Sequence, residues 1–262
     1  MVVRLERLRA DYGTYVDSYR GADGRLPDMM QLKLTHTMMV VDGARRIASG
    51  EGFDARTAFA CEAAALLHDT GRYEQLRLYD TFRDADSVDH AVFSHDIVEA
   101  RGWLDGWPAE ERDAVLTAVL VHNRRDIPSG GMDALTLAAS RTVRDADKLD
   151  IFRVLEDQVA HTDWRTDSRA FWKLDTTAAP NPEVVACICA GKPVDYQSIR
   201  SLSDFVMIQV GWMVSGLEFA TTRRLCAERG HLEFRRRFMH ELTDDPSVDV
   251  VCDVAARALA TA

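Results

Sequence analysis

Apolar residues recur at intervals of three and four along most of the chain, whereas alternating runs of β-branched residues are scarce. This spacing predicts an all-α fold. We expect helices over residues 3–20, 28–49, 55–68, 87–101, 109–122, 134–159, 203–229, 231–242 and 247–260. Between residues 160 and 200 the helical spacing fails and prolines are frequent, which predicts a long, partly irregular segment.

Several predicted helices have clear signals at their ends. Asp54 can cap the helix over 55–68, and Pro108 opens the helix over 109–122 with acidic residues in its first turn. The run Ser129-Gly130-Gly131 separates two further helices. We predict a helical core over residues 1–160 and a C-terminal helical extension over residues 161–262, packed on the core and not an independent domain.

The composition narrows the class of protein. The chain has 32 Lys and Arg against 42 Asp and Glu, a net charge of −10, so it lacks the positive surface that nonspecific nucleic-acid binding needs. No stretch suits a signal peptide or approaches the roughly 18 apolar residues of a membrane span. Its 5 cysteines, an odd number with no repeated CxxC, fit neither a disulfide framework nor a zinc ribbon. We expect a cytoplasmic protein that binds neither membranes nor specific nucleic acids, and a homodimer is compatible with the sequence.

A histidine and an aspartate follow one of the most apolar helices. The run from Ala63 to Leu67 leads directly into His68 and Asp69, which places an imidazole beside a carboxylate at a buried helix end. Burying this pair costs several kcal/mol unless a partner compensates, and a divalent cation does so most effectively. Neutral imidazole and carboxylate are ligands that suit Mn, Fe, Co, Ni or Zn.

Further polar residues lie in apolar helical surroundings. His36 stands in the run Leu34 to Val41, His122 ends an apolar helix, and Asp147 follows Ala146. Helices bring inward-facing His and Asp together from distant parts of a chain in helical-bundle metal sites. The pattern therefore predicts a metal centre inside the bundle.

Two stretches of the chain carry a wider resemblance. They read Leu66-Leu67-His68-Asp69-Thr70-Gly71 and Asp145-Ala146-Asp147-Lys148-Leu149-Asp150, and they come in the order His36, His68-Asp69, His90, His122, Asp147. Over about residues 28–155 the chain resembles the HD-domain superfamily of metal-dependent phosphohydrolases, in particular its bacterial single-domain members. The resemblance implies an HD-domain helical bundle with additional C-terminal helices.

The resemblance also implies the metal ligands. One ion would be held by His36, His68, Asp69 and Asp147, and a second by His90 and His122. Asp69 would bridge the two ions, as in binuclear members of the superfamily. Asp145 is the alternative to Asp147 as the distal ligand. We expect two divalent transition-metal ions, Mn, Fe, Co, Ni or Zn.

The remaining histidines are expected to lie outside the ligand set. His95 comes five residues after His90, so on a helix it points about 140° away from it. It is expected to lie beside the site or at the surface. His161, His231 and His240 stand in polar or charged sequence and are expected to be solvated.

The resemblance implies a reaction as well. A divalent ion with open positions lowers the pKa of bound water, and the hydroxide attacks the phosphorus of a phosphate ester. Arg72 and Lys148 are expected to assist catalysis and bind substrate, Arg124 and Asp150 to bind substrate, and Asp69 or Asp150 to accept a proton.

We therefore expect a phosphohydrolase that cleaves a small phosphorylated substrate such as a nucleotide. The sequence does not identify that substrate. Two alternatives stay open, namely an HD-type diiron oxygenase and a catalytically silent protein that binds a small ligand.

Overall fold

The computed structural model describes residues 1–165, 171 and 174–261, and these residues form α-helices joined by turns, with no β-strand. The all-α prediction is confirmed. The helices are α1 (Val2–Asp17), α2 (Asp28–Gly50), α3 (Ala55–Leu67), α4 (Gly71–Tyr79), α5 (His90–Ala100), α6 (Ala109–Val121), α7 (Ala134–His161), α8 (Pro182–Cys189), α9 (Leu202–Ser215), α10 (Ala220–Glu228), α11 (His231–Leu242) and α12 (Ser247–Ala260). Short 3₁₀ helices cover Asp84–Asp86 and Tyr196–Ser198. Among the described residues, no helix combines the length and apolar character that crossing a membrane requires.

The chain forms two compact units, Met1–Asp150 and Ile151–Ala262. The division falls inside α7, whereas the division expected from the sequence lies at residue 160. The first unit contains α1 to α6 and the first part of α7, and the second unit contains the rest of α7 and the helices that follow it.

The first unit is built around α3, which packs against α1, α2 and α6. Between Phe59 and Leu67 every residue of α3 except Glu62 is buried. Four of the buried residues are alanines, whose small side chains let neighbouring helices approach on several faces. As a result, α3 ends in the interior of the unit, and His68 and Asp69 follow it there.

Two glycines allow close approaches near this helix end. A Cβ at Gly43 on α2 would lie 3.2 Å from the Cβ of Ala146 on α7. A Cβ at Gly71 would lie 2.7 Å from the backbone nitrogen of Ser94 on α5. The glycines let α2 approach α7 and α4 approach α5 closely, because they have no side chain. A larger side chain at either position would push the helices apart.

Most predicted helices agree with the structure to within a few residues, and Asp54 caps α3 by accepting a hydrogen bond from the Thr57 amide. The structure differs from the predicted boundaries and helices in three places. The segment over 203–229 is two helices because α9 ends at Gly216, and the sequence analysis did not predict the short helices α4 and α8. Helix α5 begins at His90 and not at residue 87, because the Asp89 carboxylate caps its first amides.

The second unit is centred on α9, which is buried along most of its length and packs against α8, α11 and α12. A capping box fixes its start, since Ser201 and Asp204 each accept from the other's backbone amide. The guanidinium of Arg235 on α11 is also buried in this unit. It donates hydrogen bonds to Gln209, to Glu156 and to the carbonyl of Phe152.

Candidate metal centre

The first unit brings together all six residues predicted as metal ligands. His36 lies on α2, His68 and Asp69 follow α3, His90 begins α5, His122 follows α6 and Asp147 lies on α7. Asp147 has 19% of its side chain exposed, and the other five residues are buried. Residues up to 111 positions apart in sequence thus meet in the unit's interior, since 147 − 36 = 111.

One donor group consists of the Nε2 atoms of His36 and His68 with a carboxylate oxygen each from Asp69 and Asp147. The Nε2 atom of His36 lies 3.1 Å from Asp147 Oδ1, 3.4 Å from His68 Nε2 and 3.6 Å from Asp69 Oδ2. The Nε2 atom of His68 lies 3.7 Å from Asp69 Oδ2 and 3.9 Å from Asp147 Oδ1. We call these four donors the first group.

The second group consists of His90, His122 and the other oxygen of Asp69. The Nε2 atoms of the two histidines lie 3.0 Å apart. They lie 3.6 Å and 3.8 Å from Asp69 Oδ1. Asp69 therefore presents one carboxylate oxygen to each group.

The spacing of the donors matches the size of a transition-metal ion. Ligand atoms about 2.1 Å from an ion lie about 3.0 Å apart at octahedral angles and about 3.4 Å apart at tetrahedral angles. The separations given above run from 3.0 to 3.9 Å. Small side-chain movements would close either group around an ion.

The outer nitrogen of each imidazole has a hydrogen-bond acceptor. The Nδ1 atoms of His68 and His122 contact the backbone carbonyls of Ala65 and Val119 at 2.8 Å and 2.7 Å. A carbonyl only accepts, so Nδ1 carries the proton and Nε2 of the neutral ring offers a lone pair to the site.

The other two imidazoles use carboxylates in the same way. His36 Nδ1 lies 2.7 Å from Asp150 Oδ2, and His90 Nδ1 lies 2.5 Å from Asp84 Oδ2. Acceptors of this kind orient metal-binding histidines and raise their basicity. All four rings therefore direct Nε2 toward the donor groups.

Burial keeps two of the histidines neutral. It lowers the pKa of His68, and together with the neighbouring His90 and His68 it lowers the pKa of His122 to about 3. At His36, burial opposes protonation, but the carboxylates of Asp147 and Asp150 outweigh it and raise the pKa.

The carboxylates of the site are ionised. Burial would raise the pKa of Asp69, but the charges of Lys33 and Arg72 hold it well below its usual range. Burial opposes ionisation of Asp147 as well, and the contact with His36 outweighs it and lowers the pKa. Ionised carboxylates therefore face imidazole lone pairs in a buried space, and this donor set fits divalent transition metals.

The cations predicted to bind substrate occupy different surroundings. The Nη1 atom of Arg72 donates to Gln75, to the carbonyl of Phe82 and to Asp84, and its Nε lies 3.4 Å from Asp69 Oδ1. Arg72 thus connects the bridging carboxylate to the loop before α5.

The other predicted cations are Lys148 and Arg124. Lys148 is buried on α7, where it is rotated about 100° from its neighbour Asp147. Arg124 is half exposed and pairs with Asp89, which caps α5.

Asp145 and Asp150 are both buried on α7, outside the two donor groups. Asp145 is two residues from Asp147, so the two side chains point about 200° apart around the helix. Asp150 is expected to bind substrate, and in the structure its Oδ2 contacts His36 Nδ1, so its role toward substrate stays a prediction.

The remaining histidines follow the expectation with one exception. His95 lies between Asp96 and Glu99 at the surface of α5, and His161 and His240 are exposed. The expectation that His231 is solvated is wrong. It is buried, and its Nδ1 lies 2.6 Å from Glu156 in the second unit.

The sequence analysis missed two residues that contact the site. Lys33 places its Nζ 2.8 Å from Asp69 Oδ2, and Asp84 contacts His90. Lys33 stands three residues before His36, a spacing that puts both on one helix face and could have identified it. Asp84 lies in a 3₁₀ turn, where no periodicity reveals which way a side chain points.

Comparison with known protein families gives one match. The family model described as HD domain matches residues 34–151, a range that contains all six proposed ligands. Residues 34–151 belong to the HD-domain superfamily. No curated protein matches the chain, and no solved structure matches it either. The HD domain ends within α7, one residue after the boundary of the first unit.

Proposed function

We propose that this HD-domain protein is a metal-dependent phosphohydrolase that cleaves a small phosphate ester, such as a nucleotide, with metal-activated water. The observation that carries the proposal is the position of Asp69, with one oxygen facing the first group and the other facing the second. A carboxylate shared in this way would hold one ion through each oxygen, and two-metal sites of this kind supply phosphoryl-transfer chemistry.

The residues around the donor groups suit this chemistry. When bound, divalent ions supply Lewis-acid activation of water and of phosphate oxygens. His36, His68 and Asp147 would hold one ion, and His90 and His122 the other. Asp84 and Asp150 fix two of these imidazoles, so the ligands need little rearrangement on binding.

Positive charge beside Asp69 supports an anionic substrate. Lys33 and Arg72 both approach this carboxylate, at 2.8 Å and 3.4 Å. Both side chains bring positive charge to a site that otherwise collects carboxylates. Cations at such a site stabilise the charge that develops on phosphate oxygens during transfer.

The two complete donor groups also support a second candidate, a diiron oxygenase. Four imidazoles and two carboxylates with one shared carboxylate suit two iron ions as well as two manganese or cobalt ions. An experiment can distinguish the two candidate functions, because an oxygenase consumes dioxygen and a phosphohydrolase works without it.

Metal content and anaerobic phosphate release test the proposal together. Protein purified without added metal is analysed for Mn, Fe, Co, Ni and Zn. It is then loaded with each ion and incubated anaerobically with a panel of nucleotides and small phosphate esters. We expect two ions per chain at saturation and release of inorganic phosphate or a nucleoside monophosphate.

His68→Ala should abolish both high-affinity metal binding and turnover. His240→Ala is the matched control, since His240 is exposed and lies in the second unit. Dioxygen consumption by iron-loaded protein, with no ester cleaved in the anaerobic panel, would replace the hydrolase with the oxygenase. Saturation at two ions with neither reaction would favour a catalytically silent ligand-binding protein.

A further inference from the structure

Lys33 occupies an unusual place for a lysine. Its Nζ lies 2.8 Å from Oδ2 of Asp69, and only 18% of its side chain is exposed. The ring centroid of Phe82 lies 5.4 Å from the same Nζ. A largely covered ammonium therefore sits between an aromatic ring and the carboxylate shared by the two donor groups.

The oxygen that Lys33 contacts is also a donor of the first group. Asp69 Oδ2 lies 3.6 Å from His36 Nε2 and 3.7 Å from His68 Nε2. A divalent ion bound by these atoms would lie close to the ammonium, and the two positive charges would repel each other. The attraction between Lys33 and Asp69 would therefore weaken when this oxygen binds a metal.

Arg72 is held much more firmly than Lys33. Its Nη1 donates to Gln75 at 2.7 Å, to the carbonyl of Phe82 at 2.7 Å and to Asp84 at 2.9 Å. A guanidinium with these partners stays in place when the charge of the site changes. A lysine has a flexible stem and a single terminal ammonium, so it can turn to a new partner.

We infer that Lys33 is a substrate-binding residue that exchanges partners: it neutralises Asp69 in the metal-free protein and binds the phosphoryl oxygens of the substrate once metal occupies the first group. The inference rests on the proposed function, because the anion it assigns to Lys33 is the phosphate of that substrate. It replaces Arg72 with Lys33 as the main phosphate-binding cation of the site.

The inference predicts effects of opposite sign for one substitution. In Lys33→Met, Mn²⁺ should bind at least about tenfold more tightly without phosphate, since a unit charge about 5 Å from a divalent ion is removed even at the screening of water. Inorganic phosphate should bind the Mn²⁺-loaded variant roughly ten- to hundredfold more weakly, the change expected for loss of one charge-assisted hydrogen bond.

The experiment measures both affinities by calorimetry at fixed pH and ionic strength, with inorganic phosphate as the probe. Lys33→Arg keeps the charge and should restore much of the phosphate affinity. Lys192→Met is the matched control, because Lys192 is exposed in the second unit, and both affinities should stay at their wild-type values.

Thermal unfolding adds a readout that does not depend on phosphate. Without metal, Lys33→Met leaves the buried Asp69 carboxylate short of a cation and should lower the melting temperature. Saturating Mn²⁺ should remove most of that difference, since the ion then neutralises Asp69. A difference that persists unchanged with metal bound would overturn the exchange of partners.

The possible failures are distinguishable. If Lys33→Met binds phosphate as tightly as the wild-type protein, Lys33 is a counter-ion only and the inference is overturned while the proposed function stands. If the wild-type protein binds Mn²⁺ but no phosphate, the proposed phosphate chemistry is overturned together with the inference.

Discussion

The contact between Asp84 and His90 gives a sharp test of the second metal position. Asp84 accepts hydrogen bonds on both oxygens: from His90 Nδ1 on Oδ2 at 2.5 Å, and from Arg72 and Gln75 on Oδ1 at 2.9 Å and 3.1 Å. In Asp84→Asn one of these oxygens becomes an NH₂ group that faces a donor. The substitution therefore removes the charge behind His90 and leaves one donor without an acceptor.

The expected loss follows from this geometry. Removing an acceptor that orients a metal-binding histidine weakens metal affinity by about ten- to hundredfold, which corresponds to about 1.4 to 2.7 kcal/mol. The loss of affinity should be confined to the second group. The outer nitrogens of His36 and His68 in the first group contact Asp150 and the carbonyl of Ala65, and not Asp84. Binding should thus change from two tight steps to one tight and one weak step.

Stepwise titration with Co²⁺, followed by its visible absorption, measures the two affinities separately. Asp86→Asn is the matched control, since Asp86 lies in the same 3₁₀ helix and pairs with Arg83 at the surface. Two unchanged binding steps in Asp84→Asn, or an equal loss in both steps, would refute the division of the donors into two groups that share Asp69.

Three further predictions test other parts of the structure. Asp150→Asn should weaken the first metal-binding step by about tenfold or more and leave the second step unchanged, as the same titration will show. Asp147→Asn should lower metal affinity and turnover together, whereas Asp145→Asn should change metal affinity little; the reverse result would move the ligand to Asp145. Arg235→Met should lower the free energy of unfolding by about 3 kcal/mol in urea titrations, because it leaves the buried acceptors at Gln209 and Phe152 without their donor, while the exposed Arg237→Met on the same helix should cause only a small change.

Helical periodicity and helix-end signals were enough to predict most of the fold. They located α2, α3, α6 and α12 closely, because each of these helices is a regular stretch flanked by turns. They failed at α4 and α8, which are short and gain stability from packing more than from their own sequence. They also merged α9 with α10, since apolar spacing continues across the break at Gly216.

The proposed ligands were predictable from a signal that the residues around them lack. His68, Asp69 and His122 stand out because polar residues at the ends of apolar helices need an explanation. Asp150 has a weaker signal in the sequence, since it lies three residues after Asp147 and therefore on the same helix face. In the structure His36 contacts both carboxylates. Asp84 has no such signal, because a turn has no period from which its side-chain direction can be read.

Each unit buries charged side chains, and the two clusters differ in a way that bears on function. In the second unit every nitrogen of the Arg235 guanidinium donates to an acceptor, among them Gln209 and Glu156, so the protein itself satisfies the buried charge. In the first unit His68 and His122 direct Nε2 lone pairs toward the ionised Asp69, and acceptors that face acceptors destabilise a fold. Binding of a cation would recover that free energy and would couple metal binding to the stability of the unit. These lone pairs support the proposal that the histidines of the first unit bind metal, whereas the acceptors around the Arg235 guanidinium support a structural role for that residue.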